Sequence, residues 1–191
     1  MCRGIALYPK DIVEGVGMAG DNMYIRRYCH TCHVVRPVRA SHCPECDYCV
    51  HEFDHHCGVL GICVGERTWR YFTWFVYIAF IACLYTLSVC VYVLMGYGPE
   101  SEKYPLMHVA SILLVFVVAL LALCTGNVAV TYAIMTYKGT TTRDDLHQDG
   151  YWDRSKGFPF DEGCLKNCWR RMFCPKYPSV VLLHRERGEV V

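Results

Sequence analysis

The sequence predicts a mainly α-helical membrane protein with two transmembrane helices and a small cytosolic domain rich in Cys and His. Two observations support this fold class. The chain contains two runs without Asp, Glu, Lys or Arg, one of 25 residues from Tyr71 to Met95 and one of 32 residues from Leu106 to Tyr137. Seven of its 14 cysteines fall between Cys29 and Cys63. The runs predict the membrane helices, and the cysteines predict the small domain.

Both apolar runs are long enough to cross a bilayer. At about 1.5 Å per residue, either run exceeds a hydrocarbon core of about 30 Å. The alternative, two buried helices of a soluble protein, is disfavoured because 191 residues cannot surround two such helices. Aromatic residues also gather at the start of the first run, as in an interfacial belt. The net charge of +1 and the 19% of charged residues exclude a disordered or nucleic-acid-binding chain.

Basic residues flank the two runs on their outer sides and predict the orientation. They are Arg26, Arg27, Arg36, Arg39, Arg67, Arg70, Lys138, Arg143 and Arg154. The loop between the runs carries only Lys103, so both termini are expected in the cytosol. We divide the chain into an N-terminal tail (1–25), a Cys-rich domain (26–68), a transmembrane helix (71–95), a lumenal loop (96–105), a second transmembrane helix (106–137) and a cytosolic tail (138–191).

The spacing of the cysteines predicts metal binding. Cys29/Cys32, Cys43/Cys46 and Cys46/Cys49 each have the two-residue spacing of zinc knuckles, and a cytosolic domain disfavours disulfides. These paired motifs are the only internal repeat that we identify. Two tetrahedral zinc ions need eight ligands, and the seven cysteines with the nearby histidines supply more than eight. A structural zinc module that only binds partners stays open at this point.

Four consecutive residues add a second kind of chemistry. Asp54, His55, His56 and Cys57 bring an acid, two imidazoles and a thiol together. A thiol nucleophile needs a base to lower its effective pKa, and that base needs a carboxylate to orient it. The string therefore favours a catalytic cysteine.

The full pattern resembles one family. It reads Cys29-x2-Cys32, nine residues, His42-Cys43-x2-Cys46-x2-Cys49, four residues, Asp54-His55-His56-Cys57, five residues, Cys63, and then Arg70-Tyr71-Phe72. Further on, Thr141, Thr142, Arg143 and Asp144 are similar to a TTxE motif with Asp in place of Glu, and Phe160 through Asn167 to Phe173 is similar to a C-terminal signature. Over about residues 26–175 the chain thus resembles the DHHC protein S-acyltransferases, or palmitoyltransferases.

The resemblance implies a role for each of these positions. One structural zinc would be held by Cys29, Cys32, His42 and Cys49, and a second by Cys43, Cys46, His56 and Cys63. Cys57 would be the nucleophile, His55 its base and Asp54 the residue that orients the base. Supporting roles would fall to Thr141, Thr142, Asp144 and Asn167.

The resemblance also implies the reaction and its setting. A palmitoyl group from palmitoyl-CoA or a similar acyl-CoA co-substrate would pass through acyl-Cys57 to cysteines of membrane-associated substrate proteins. The reaction would occur at the cytosolic face of the Golgi, the ER or the plasma membrane, in an integral multi-pass protein. Expected partners are these substrates, membrane lipid and a second copy in a homo-oligomer, and no nucleic acid. The alternative is a catalytically silent, membrane-anchored zinc module that binds protein partners.

The chain departs from the family pattern in the Cys-rich domain and in the membrane. Gly58 and Val59 replace a Pro-Trp pair, Gly61 and Ile62 replace two Asn, and Thr68 replaces another Asn. These changes concern rate and acyl selectivity rather than the nucleophile. Most members have four membrane helices, so we expect the two runs to be the C-terminal half of a four-helix domain. Two helices offer an acyl chain a groove rather than an enclosed cavity, and we expect poor self-acylation of this chain alone.

Overall fold

A computed structural model describes residues 16–19, 22–25, 28–97, 105–146 and 157–174. The chain divides into two compact units. The first, here the hairpin unit, comprises Met1–Arg70 and Met135–Val191, and the second, the helix-pair unit, comprises Tyr71–Ile134. Most of the predicted lumenal loop (98–104), parts of the N-terminal tail and two stretches of the C-terminal tail (147–156 and 175–191) lie outside the described residues.

Within its described residues, the hairpin unit contains four two-stranded antiparallel hairpins. Their strands are β1 (Val16–Ala19) with β2 (Asn22–Ile25), β3 (Tyr28–Cys29) with β4 (Val34–Val35), β5 (Ser41–Cys43) with β6 (Tyr48–Val50), and β7 (His55–Cys57) with β8 (Ile62–Val64). The first hairpin lies in the segment that the sequence analysis treated as a plain tail. Hairpins this short are marginally stable alone. A small buried cluster of Cys43, Phe53 and Cys63 is the apolar core at the second and third Cys-containing hairpins.

The last three hairpins form a repeat with a period of 14 residues. The cross-strand pairs Tyr28↔Val35, His42↔Cys49 and His56↔Cys63 are each shifted by 14. In each hairpin the fourth residue after the cysteine of the first strand has a positive φ: 52° at His33, 54° at Asp47 and 63° at Gly61. The paired Cys motifs alone do not reveal this longer unit, because the third copy has Leu60 where the first two have the second cysteine of a CxxC pair.

Two long helices follow the hairpins. Helix α1 covers Trp69–Tyr97 and helix α2 covers Pro105–Lys138. At each end, α1 extends two residues and α2 one residue past its predicted span. Both are long and apolar enough to cross a membrane. In the most apolar stretch of α1 no residue is buried, and in that of α2 11% are buried. The core helices of a soluble protein would be mostly buried, so this interpretation is disfavoured. The predicted fold class, mainly helical with two apolar helices and Cys/His-rich groups, is confirmed.

Within the helix-pair unit, a glycine permits close contact between the helices. An added Cβ at Gly126 of α2 would lie 2.8 Å from Cε2 of Phe80 on α1. Further along, the rings of Phe72 and Tyr132 pack with centroids 4.9 Å apart. Small residues at such positions are a common means of bringing membrane helices together.

The described part of the hairpin unit also contains two short helices, and buried arginines hold the segment that follows α2. Helix α3 covers Thr142–Leu146 and helix α4 covers Cys164–Met172. The Arg39 side chain is 3% exposed. It donates from Nε and Nη2 to Oδ2 of Asp144 (3.1 and 2.6 Å), from Nη1 to Glu52 (3.0 Å) and from Nη2 to the carbonyl of Gly139 (2.9 Å). One arginine therefore joins three stretches of chain.

Helix α4 holds the same segment from the other side. Arg171 donates to the carbonyls of Gly139 and Thr140 at 2.8 and 2.7 Å, and Asn167 donates to the carbonyl of Tyr137 at 2.9 Å. Gly139 ends α2 with φ 73°, the left-handed conformation that glycine adopts freely at a helix C-terminus. Helix α4 thus binds one carbonyl at the end of α2 and two carbonyls of the segment that follows it.

Three arginines around Glu52 stabilise its charged form. Burial opposes ionisation of Glu52, but Arg39, Arg170 and Arg171 outweigh it and hold the pKa of Glu52 far below its usual range. Burial, and after it the charge of Arg39, lowers the pKa of Arg171 to about 10. Glu52 and Arg171 therefore both remain ionised near neutral pH.

We predict that Arg39→Met lowers the free energy of unfolding of the hairpin unit by about 3 kcal/mol, because it leaves buried carboxylates without their main partner. Thermal or denaturant unfolding of the detergent-solubilised chain measures this. Arg67→Met, at an exposed arginine of the same unit, is the control and should change stability little. Equal effects of the two substitutions would contradict a structural role for the Arg39 ion pairs.

We also predict that Gly126→Leu destabilises the helix-pair unit by about 1–3 kcal/mol through overpacking against Phe80. Gly96→Leu is the matched control, since an added Cβ there meets nothing within 4 Å. Combining Gly126→Leu with Phe80→Ala should restore part of the lost stability, as followed by thermal unfolding in detergent. No difference between the two glycine variants would disprove the close contact.

Candidate metal groups and thiol site

Because of the strand geometry, neighbouring residues of the Cys-rich domain point to opposite faces of their hairpins. Successive side chains of a strand point to opposite faces. In β5, His42 and Cys43 therefore face opposite sides, and in β7 the same holds for His55 and His56. Residues directly paired across a hairpin share a face, so His42 lies with Cys49 and His56 with Cys63.

The first metal group combines two hairpins. Cys29 and Cys32, from the turn of the β3–β4 hairpin, meet His42 and Cys49, from the next hairpin, with all four ligand atoms within 4.8 Å of one another. The Nδ1 atom of His42 lies 3.6 Å from the sulfur of Cys29 and 3.3 Å from that of Cys32. The family resemblance implies the same four residues as ligands of one ion.

The second metal group repeats the arrangement one hairpin later. Cys43 and Cys46 meet His56 and Cys63, again with ligand atoms within 4.8 Å. Nδ1 of His56 lies 3.6, 3.4 and 3.7 Å from the three sulfurs, and the sulfurs of Cys46 and Cys63 are 3.3 Å apart. Each group therefore consists of a Cys pair from one turn and a His–Cys pair from the following hairpin.

Both groups fit zinc by their donor chemistry and spacing. Three soft thiols and one imidazole form a Cys₃His set, which is typical of structural zinc. With Zn–S near 2.3 Å and Zn–N near 2.0 Å, ligand atoms of a tetrahedral site lie roughly 3.5–3.8 Å apart. The short contacts in each group are close to this range. Each group can therefore hold one metal ion.

Cys57 lies outside both groups although its turn is equivalent to theirs. Cys29, Cys43 and Cys57 occupy the same position in the three repeats. Among the described residues, only the first two belong to a metal group. The side chain of Cys57 shares a face of β7 with His55, away from His56. The same strand thus presents a metal-group imidazole on one side and a thiol–imidazole pair on the other.

Asp54 and His55 form an oriented acid–imidazole pair. Nδ1 of His55 lies 2.7 Å from Oδ2 of Asp54, whose side chain is fully buried, whereas the His55 side chain is 35% exposed. The hydrogen bond to Asp54 raises the pKa of His55, and this outweighs the opposing effect of partial burial. The imidazole therefore has one fixed edge and remains reachable from solvent.

The Cys57 sulfur is surrounded by hydrogen-bond donors. Burial opposes its ionisation, but the backbone amide of Leu60, the His55 ring and the amide of Val59 together lower the pKa of the Cys57 thiol. Val59 itself is 91% exposed at the tip of the hairpin. A partly exposed thiol with these donors is the kind of sulfur that reacts as a nucleophile.

The segment after α2 contacts the acid of this pair. The backbone amide of Thr142 donates to Oδ1 of Asp54, and the hydroxyl of Thr141 donates to the carbonyl of Phe53 at 3.3 Å. Thr141 is in turn fixed by Asp144, whose Oδ2 accepts from the Thr141 amide at 2.9 Å. The structure thus brings Thr141, Thr142 and Asp144 close to Asp54. Asn167, in α4, instead contacts the end of α2 through the carbonyl of Tyr137.

Sequence reasoning missed the charged residues that hold this segment. Arg39, Glu52 and Arg171 were read only as flanking charges or not at all, and all three are buried. Arg39 also lies over the rings of Phe158 and Phe160, at 5.2 and 5.4 Å from their centroids. The one sequence signal was their position beside apolar residues, which does not distinguish them from solvated charges.

Comparison with known proteins concerns the same part of the chain. A profile of the DHHC palmitoyltransferase family matches residues 22–149. The chain is 33% identical over 159 residues to palmitoyltransferase ZDHHC8 of Drosophila melanogaster, across 81% of the chain and 16% of that protein. It is 32% identical to probable protein S-acyltransferase 7 of Arabidopsis thaliana over 158 residues, across 80% of the chain and 35% of that protein.

A mammalian relative gives a similar result. Identity to palmitoyltransferase ZDHHC9 of Homo sapiens is 32% over 164 residues, across 81% of the chain and 43% of that protein. The chain therefore spans less than half the length of these curated relatives. The profile match covers more than half of the chain, and it includes both metal groups and the thiol site. The chain belongs to the DHHC palmitoyltransferase family.

Proposed function

We propose that this chain transfers long-chain acyl groups such as palmitoyl from acyl-CoA to cysteine thiols of other proteins, with Cys57 as the covalent carrier. The observation that carries the proposal is that β7 presents His55 and Cys57 on one face, while the buried Asp54 holds the His55 ring. A thiol, an imidazole and an orienting carboxylate in contact are the arrangement that activates a sulfur nucleophile.

In the first half-reaction, the Cys57 sulfur attacks the carbonyl carbon of the acyl-CoA thioester. A bond forms between this sulfur and the acyl carbon, the bond from the acyl carbon to the CoA sulfur breaks, and CoA leaves as a thiol. The proton of Cys57 passes through His55 to the departing sulfur. Asp54 keeps the ring in one tautomer and stabilises its protonated form.

In the second half-reaction, a cysteine thiol of a substrate protein attacks the acyl-Cys57 thioester. His55 accepts the proton of the incoming thiol and returns it to the Cys57 sulfur as the acyl group moves to the substrate. One thioester replaces another in each step, so the cycle needs no oxidant or reductant. This is a ping-pong scheme with an acyl-enzyme intermediate.

Two structural zinc ions would support this site. One would be held by Cys29, Cys32, His42 and Cys49, and the other by Cys43, Cys46, His56 and Cys63, the two groups whose donors lie together. Bound zinc supplies folding free energy by cross-linking segments that have little apolar core. His56 then serves a metal group directly beside the reactive pair, which fixes β7.

The setting of the reaction is part of the proposal. Helix α1 begins at Trp69, twelve residues after Cys57 in the chain. Together with the outer basic residues, this supports a site at the cytosolic face of an endomembrane (Golgi or ER) or of the plasma membrane. Substrates would be membrane-associated proteins with accessible cysteines. The competing hypothesis is a catalytically silent, membrane-anchored zinc module. Acyl labelling distinguishes this module from an acyltransferase.

We predict that Cys57→Ser abolishes thioester labelling of the purified chain by a tagged acyl-CoA and leaves its metal content unchanged. Label on the wild type should be released by hydroxylamine. Cys164→Ser removes a free thiol outside the hairpins and should label like the wild type. Because the chain alone is expected to self-acylate poorly, the wild-type label should be weak but detectable. Thioester label that persists on Cys57→Ser would refute the assigned nucleophile, and complete absence of label on the wild type would favour the silent module.

The adjacent histidines provide a matched pair for the next prediction. His55→Ala should lower the rate of acylation by about 10²–10⁴-fold through loss of the base, while bound metal stays at the wild-type level. His56→Ala should instead lower the metal content, because it removes one ligand of the second group. Metal analysis and acyl labelling are run on both variants. The reverse outcome would show that the two roles are exchanged.

A further inference from the structure

The hairpin that carries Cys57 has the same turn as the two metal-binding hairpins. The pairs Cys29↔Val34, Cys43↔Tyr48 and Cys57↔Ile62 close the three turns in the same register. In each turn, the amides of the second and third residues after the cysteine donate to its sulfur. The backbone around Cys57 is therefore that of a zinc knuckle.

Three residues after the cysteine, the turns differ in whether the side chain can bind a metal ion. The first two turns have Cys32 and Cys46 at this position, and both belong to a metal group. The third turn has Leu60, which is exposed. The first two turns also receive a His–Cys pair from the following hairpin, whereas the third is followed by α1. The third turn thus lacks a second thiol.

We propose that Leu60 is the residue that keeps Cys57 free of metal and therefore available as a nucleophile. A thiol at position 60 would lie beside Cys57 as Cys46 lies beside Cys43. The imidazole of His55, which contacts Cys57, would supply a third ligand. Two thiols and one imidazole with an open fourth position are a known zinc ligand set.

Metal binding at this turn would remove the nucleophile. Both thiols would lose their protons to solvent, and the Cys57 sulfur would be coordinated to the ion. An apolar Leu60 offers no donor atom, so the turn retains its amide hydrogen bonds but cannot chelate. The inference rests on the proposed function only in taking Cys57 as the reacting sulfur.

The test counts metal ions in the full chain, purified in detergent, loaded with Zn²⁺ and desalted. Leu60→Cys and Leu60→His should each bind one ion more per chain than the wild type. Val59→Cys adds a thiol one residue away, and Leu60→Ala removes the side chain without adding a donor. Both should match the wild type. Combining Leu60→Cys with Cys57→Ser should return the count to the wild-type value.

A second measurement follows the sulfur itself. With Zn²⁺ present, alkylation of Cys57 in Leu60→Cys should be slower than in the wild type by at least about tenfold, because a coordinated thiolate reacts poorly. An unchanged metal content in both Leu60→Cys and Leu60→His overturns the proposal. Loss of the resident ions in both variants also overturns it, because the turn would then not accept a ligand. An extra ion in Val59→Cys does the same. Metal counting uses no acyl donor, so failure of acyl transfer would be seen separately.

Discussion

The alternation of side chains along three short hairpins is the constraint on which the site depends. Because neighbours in a strand point to opposite faces, His42 and Cys43 enter different metal groups, and His55 is separated from His56. A shift of register by one residue would exchange these faces. Hairpins of two or three residues per strand cannot maintain their register by backbone hydrogen bonds alone. Metal ions that join each turn to the next hairpin would maintain it.

Asp54, which holds the His55 ring, is positioned from a distant part of the chain. Asp54 accepts a hydrogen bond from the amide of Thr142, 88 residues later. That segment is held by Arg39 from the hairpins and by Arg171 from α4, which both bind the carbonyl of Gly139. Buried arginines suit this task because one guanidinium can satisfy several acceptors at fixed angles. The orientation of His55 thus depends on the end of α2 and on the C-terminal helix.

The turn that carries Cys57, the proposed nucleophile, has the same local structure as the turns of the two metal groups. A knuckle turn directs two amides at a cysteine sulfur, and such donors favour the thiolate whether it coordinates metal or attacks a carbonyl carbon. What differs between the turns is the number of further donors in reach. The third turn has His55 but no second thiol, and His55 is already held by Asp54. The balance of ligands, rather than a special backbone, distinguishes Cys57 from Cys29 and Cys43.

The sequence by itself determined the two helices, because a long run without charged residues is a local feature of the chain and is poorly solvated by water. It also determined the supply of metal ligands, through the spacing of the cysteines. The grouping of those ligands into two sets came from the family resemblance and not from spacing, since many pairings of seven thiols satisfy the same distances along the chain. Only the tertiary structure decided the 14-residue register, the Asp54–Thr142 contact and the burial of Arg39, Glu52 and Arg171. Arg39 and Asp144 are 105 residues apart, and whether such charges are solvated or paired depends on which surfaces fold over them.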